Sequence, residues 1–75
     1  MKYIEEIIAG DCFYLENKPY LATYDFRANG SRLCYSLVNG HGLWLTPVTI
    51  VEPFAIYGLD NNNNIYPIKT ITNQA

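Results

Sequence analysis

Residues 20–45 read YLATYDFRANGSRLCYSLVNGHGLWL, and this stretch decides the fold. Its first part alternates: Tyr20, Ala22, Tyr24 and Phe26 share one face of an extended strand, while Leu21, Thr23 and Asp25 share the other. Asn29-Gly30 follows, two residues that tolerate the positive φ a primed hairpin turn needs. Arg32–Val38 reads as the next strand, Asn39-Gly40 as a second turn of the same kind, and Leu43–Leu45 as a short third strand. Leu43 and Leu45 point opposite to Trp44, so Trp44 is either an outward ring or the core ring, and the pattern alone leaves both open.

The flanks continue the theme. Upstream, Cys12–Leu15 predicts a strand and Glu16-Asn17-Lys18-Pro19 a tight turn closed by Pro19. Tyr3–Ile8 is a helical turn or a first strand, with Ile4, Ile7 and Ile8 at helical spacing, and Gly10-Asp11 ends it. Downstream, Thr46–Thr49 predicts an irregular or 3₁₀ turn. Pro53 divides Val51–Leu59 into two strand pieces. Asp60 and the four asparagines after it form a polar turn, Ile65–Ile71 closes the sheet, and Asn73-Gln74-Ala75 frays. No helix-period stretch of useful length follows residue 10. The expectation is one all-β domain over residues 1–75, with an N-terminal segment at 1–9 and a frayed tail at 72–75. Its five to seven short strands form a small antiparallel SH3-like barrel, because closure shelters strand edges. An OB-like barrel is the runner-up. It normally wants more residues and a helix between its middle strands.

Composition narrows the function. Of 75 residues, 49% are hydrophobic and only 16% charged, which argues against disorder. A domain this small buries a modest share of its surface, so a homo-oligomer is expected as one way to bury more. Seven tyrosines exceed what a small core can hide with every hydroxyl paired. The net charge of −2 lacks the basic surplus of a phosphate binder. Lys18, Arg27 and Arg32 nevertheless face only Asp25 within residues 17–34, which makes a local basic patch. No apolar run is long enough for a membrane span, and Met-Lys-Tyr-Ile-Glu-Glu lacks a signal-peptide core, so the expected location is the cytoplasm. Cys12 and Cys34, without a Cys-x-x-Cys pattern, read as small buried hydrophobes and not as a disulfide or zinc site.

Catalytic equipment is scarce. His41 is the single histidine and the single base for a thiol at Cys12 or Cys34. Glu5-Glu6, Asp11, Asp25 and Glu52 read as terminal or strand-end acids. The glycines at 40 and 42 are too few for a phosphate loop, and the 60–64 run lacks the alternating acids of a calcium loop. No enzyme activity, cofactor or metal is expected. Binding is the better case. Tyr24, Arg27, Arg32, Tyr35, His41, Trp44 and Tyr57 are the candidate ligand- or partner-binding residues, because rings and guanidinium groups stack on bases and dominate protein hot spots.

Ala22-Thr23-Tyr24-Asp25-Phe26 invites comparison with the Ala-Leu-Tyr-Asp-Tyr signature of eukaryotic SH3 domains. The long acidic loop, paired tryptophans and final Asn-Tyr-Val of that family are missing, so proline-motif recognition is not carried over. GDCFYLENKPYLATYDF, RLCYSLVNGHGLWL and TIVEP together resemble small phage-encoded accessory proteins with SH3-like barrels, over residues 10–53. That resemblance implies a viral, non-enzymatic protein in the host cytoplasm. Such a protein captures or inhibits a host protein or a signalling nucleotide, in counter-defence for instance. Two alternatives stand beside it: a single-stranded nucleic-acid-binding barrel, and a structural component of a viral assembly.

Overall fold

The computed structural model describes residues 1–69. It is all-β and antiparallel. Its elements are β1 (Lys2–Tyr3), a 3₁₀ turn over Ile4–Glu6, β2 (Cys12–Leu15), β3 (Lys18–Phe26), β4 (Arg32–Ser36), β5 (Gly42–Leu45), β6 (Ile50–Phe54), β7 (Ile56–Leu59) and β8 (Ile65–Lys69). Six strands form one sheet in the order β1-β6-β2-β3-β4-β5, and β7 and β8 form a separate hairpin. The predicted meander is present, with Tyr20 opposite Ser36, Ala22 opposite Cys34, and Leu33 opposite Trp44.

The sheet does not close into a barrel: β1 stands at one edge and β5 at the other. Backbone bonds from the 3₁₀ turn to the loop after β5 tie the two margins at one end. Ile4 N–H donates to Thr49 at 2.8 Å and Glu5 N–H to Pro47 at 3.2 Å. Among the described residues the strand expected to close the sheet, β8, pairs with β7 and with no strand of the six-stranded sheet. Residues 70 and 71, which that expectation also included, and the tail at 72–75 lie outside the described residues.

Three turn readings shift by a residue or two, each for a local reason. Glu16 and Asn17 make a two-residue turn by themselves, with φ of 52° and 66°. Lys18 is therefore already in strand, opposite Leu15, and Pro19 sits opposite Tyr14. The second meander strand ends at Ser36, where Ser36 N–H donates to His41 and Gly40 N–H donates to Ser36. Pro53 stays inside β6, opposite Phe13, and the break between strand pieces falls at Ala55. The chain turns at Asn29-Gly30, but not through the primed turn expected: of the two only Gly30 has a positive φ, 87°, its N–H donates to Arg27 at 2.9 Å, and Asn29 Oδ1 accepts from Ser31 N–H at 3.0 Å.

The core lies against the concave face of the sheet. Phe13, Ala22, Cys34, Leu45 and Val51 line it, and Ile4 and Ile7 of the N-terminal segment cover one end. Arg32 is buried there, 2% exposed. Its Nη1 donates to the carbonyls of Ile4 (3.0 Å) and Ile7, and its Nε to Thr23 at 2.6 Å. Its guanidinium also lies 5.1 Å from the Phe26 ring centre. Burial lowers its pKa, while Cys34, Asp11 and Tyr24 pull it back up. A charge in such a place is tolerable because its donors have carbonyl acceptors.

Arg32→Met removes the donors and leaves those carbonyls facing an apolar side chain. The expected loss is on the order of 3 kcal/mol of unfolding free energy, read by urea denaturation followed through Trp44 fluorescence. An unchanged midpoint refutes the structural role given to Arg32.

Cys12 and Cys34 are buried thiols, as the sequence suggests. Burial pushes the Cys34 thiol up to about 11 from 9.0, against the opposing pull of Arg32 and a backbone hydrogen bond at Thr23. Between these values the unfolded chain has released this proton and the folded chain still holds it. Stability therefore falls as pH rises from about 9 to about 11. Cys34→Ala is expected to show a shallower decline over that window than the parent chain, measured by denaturant titration at each pH. Parallel curves refute the assignment.

Candidate functional site

The two faces of the six-stranded sheet carry different chemistry. Strand alternation sends Cys34, Ser36, Tyr20, Ala22, Leu43 and Leu45 to the concave face, and Leu21, Leu33, Tyr35 and Trp44 to the convex one. Trp44 is thus the outward ring, half-buried and not part of the core. The Arg27 guanidinium covers it, 4.1 Å from the ring centre. Tyr35 stands beside it on β4. A Cβ at Gly42 would come within 3.0 Å of Leu33 and 3.4 Å of Tyr35, so the glycine makes room for both side chains. Tyr14 and Phe54 stack on the neighbouring strands with ring centres 4.3 Å apart.

The concave face opens at the end away from the N-terminal cover. Ser36 is at the opposite end of β4 from Arg32, and around it lies a groove of about 320 Å³ lined by Lys18, Tyr20, Ser36, Asn39, His41 and Leu43, among others. No acidic side chain lines it. Tyr20 is held in place by stacking on Phe13, with centres 5.7 Å apart and planes 14° apart. The turn carrying His41 is held by Asn39 Oδ1, which accepts from His41 N–H at 2.9 Å. Ser36 Oγ accepts from Val38 N–H at 3.2 Å.

The residues expected from sequence do not form one site. Arg27, Tyr35 and Trp44 share the convex face. His41 is in the groove. Tyr24, 82% exposed, meets Phe26 edge-on at 5.9 Å, within the register irregularity between Ala22 and Phe26. Tyr57 belongs to the β7–β8 hairpin. Arg32 is not at the surface, so the local basic patch reduces to Lys18 and Arg27 on different faces. Sequence reasoning missed Tyr20, Ser36 and Asn39 as groove residues. The signal was present in the alternation, because Tyr20 and Ser36 end the run of inward positions one step beyond Ala22 and Cys34. Among the described residues no group of His, Cys, Asp or Glu is placed to hold a metal ion, and no helix is long and apolar enough to cross a membrane.

No protein-family model, no curated protein and no solved structure gives a significant match to this chain.

Removing the Arg27 side chain uncovers the Trp44 ring. Arg27→Ala is expected to red-shift Trp44 emission and raise its quenching by acrylamide, with the far-ultraviolet dichroism unchanged. Emission and quenching identical to the parent chain refute the stack.

Proposed function

We propose that this chain is a non-enzymatic binding protein that captures a small anionic ligand of nucleotide type in the open end of its curled sheet. The observation that carries this reading is the groove around Ser36. It combines an anchored aromatic ring, Tyr20, with Lys18 and His41, and has no carboxylate on its lining. Its volume lies at the lower end of the about 300–1,000 Å³ usual for small-molecule sites. A base stacked on an aromatic ring gains roughly 1–3 kcal/mol. Tyr20 is already held against Phe13, so little rotamer freedom is lost on binding. Lys18 supplies a point charge for a phosphate. This agrees with the capture of a signalling nucleotide that the resemblance to phage accessory proteins implies.

A second reading rests on the convex face, where Arg27 over Trp44, with Tyr35 beside it, offers a stacking surface for a host protein or for single-stranded nucleic acid. One experiment separates the two. Adenosine 5′-monophosphate is titrated into ¹⁵N-labelled protein, alongside inorganic phosphate and a short single-stranded oligonucleotide. Shifts from the mononucleotide at Lys18, Tyr20, Ser36 and His41, weakened at least tenfold by Tyr20→Ala, support capture in the groove. Shifts from the oligonucleotide confined to Arg27, Tyr35 and Trp44 move the function to the convex face. No shift from the mononucleotide at millimolar concentration overturns the groove reading.

A further inference from the structure

The polar side chains of the groove around Ser36 are arranged to donate hydrogen bonds. Tyr20 stands opposite Ser36 in the β3–β4 ladder, and Ser36 N–H donates to the His41 carbonyl at 2.9 Å. Tyr20, Ser36 and His41 therefore form one row across three neighbouring strands, roughly 10 Å long at about 4.8 Å per strand. Lys18 precedes Tyr20 by two positions on the same face of β3 and lines the same groove. The Ser36 hydroxyl oxygen accepts from Val38 N–H at 3.2 Å and from Asn39 N–H at 3.4 Å. Both of its lone pairs are thus engaged, and its hydrogen is left to donate. Asn39 commits its Oδ1 to His41 N–H, so its NH2 is the end that remains for a ligand. The Lys18 ammonium can only donate.

We propose that His41 couples capture of the anionic ligand to a proton: its imidazolium and the Lys18 ammonium hold the anionic group from either side of β4, so that ligand and proton bind together. This rests on the groove being the ligand site. Histidine is the side chain that ordinarily changes charge between pH 5 and 8. Neutral imidazole keeps one ring nitrogen as an acceptor, which repels an anion, whereas both nitrogens of imidazolium donate. The groups facing His41 give the coupling its sign. On β3 the titratable ones are Lys18 and Tyr20. On β4 Ser36 faces the groove and Tyr35 the convex side, and the turn and β5 add no other titratable group. Glu16 lies in the turn before Lys18, outside the lining. No carboxylate on the lining offsets a second cation. Before a ligand binds, Lys18 disfavours the imidazolium; an anion between the two favours it. The coupling is reciprocal, so the proton tightens the ligand by the same factor as the ligand tightens the proton. Retention is therefore stronger in acid.

Adenosine 5′-monophosphate titrated into the parent chain and into His41→Gln, at pH 5.5 and at pH 8.5, tests this through the Tyr20 and Ser36 amide resonances. A phosphate monoester takes up a proton of its own near about pH 6. The quantity read is therefore the ratio of the two affinities at each pH, which removes the ligand's own titration. The expected ratio is about tenfold in favour of the parent chain at pH 5.5 and within about twofold of unity at pH 8.5. A ratio that is the same at both pH values, with the mononucleotide still bound, overturns the coupling and leaves the groove reading standing. No shift from the mononucleotide at either pH overturns the groove reading, and the coupling falls with it. A second measurement needs no substitution. The titration midpoint of the His41 Cε1 proton is expected to rise by about one pH unit in saturating mononucleotide. An unmoved midpoint overturns the proposal.

Discussion

The cation buried at Arg32 is the constraint on which the rest of the sheet depends. Its Nε and Nη1 donors reach three carbonyls in two segments: Thr23 in β3, and Ile4 and Ile7 in the N-terminal segment. The residue itself begins β4. One side chain thus holds the first residues of the chain over the end of the core while bridging the irregular part of the β3–β4 pairing. An apolar side chain of the same volume fills the space but withdraws the guanidinium donors from those carbonyls, leaving Ile4 with the Ile7 N–H at 3.2 Å, which is the larger cost. With Arg32 in place the N-terminal segment acts as a cover, and the core needs no closed ring of strands to exclude water at that end.

This arrangement explains why an open sheet suffices where a barrel was expected. Ile4 and Ile7 occupy the space that a closing strand would otherwise cover. Among the described residues nothing equivalent covers the far end, where the groove opens around Tyr20, Ser36 and His41. The closed end is built from buried hydrogen bonds and isoleucines. The open end is built from polar side chains on a fixed ring. Structural and binding residues are thus segregated along the same strands, only a few positions apart.

Much of the sheet was legible in the chain because turn chemistry is local. Asn29-Gly30 and Asn39-Gly40 announce their turns, and the alternation from Tyr20 to Ala22 survives in the structure. The Glu16-Asn17 turn was less legible, because a glutamate at positive φ is uncommon and the neighbouring Pro19 looked like the better breaker. Arg32 was misplaced for a related reason. A lone arginine after a hairpin turn reads as solvated charge, and the carbonyls that receive it come from residues 25 and 28 positions away. No local pattern reports a partner at that distance. The side taken by Trp44 was likewise undecided until the register set it opposite Leu33 and beneath Arg27. The groove followed from the same register, but only once both turns had been placed.

An open sheet has two free edges, and an exposed edge is a template for further strands. Here the edges are short. β1 contributes two residues and β5 four. The chain leaves β1 directly into the 3₁₀ turn, whose Ile4 and Glu5 N–H groups are already taken by Thr49 and Pro47. Little ladder is left for another chain to extend. The bonds that tie the sheet's two margins together therefore have a colloidal consequence as well: they withhold the backbone that would otherwise nucleate aggregation by edge pairing.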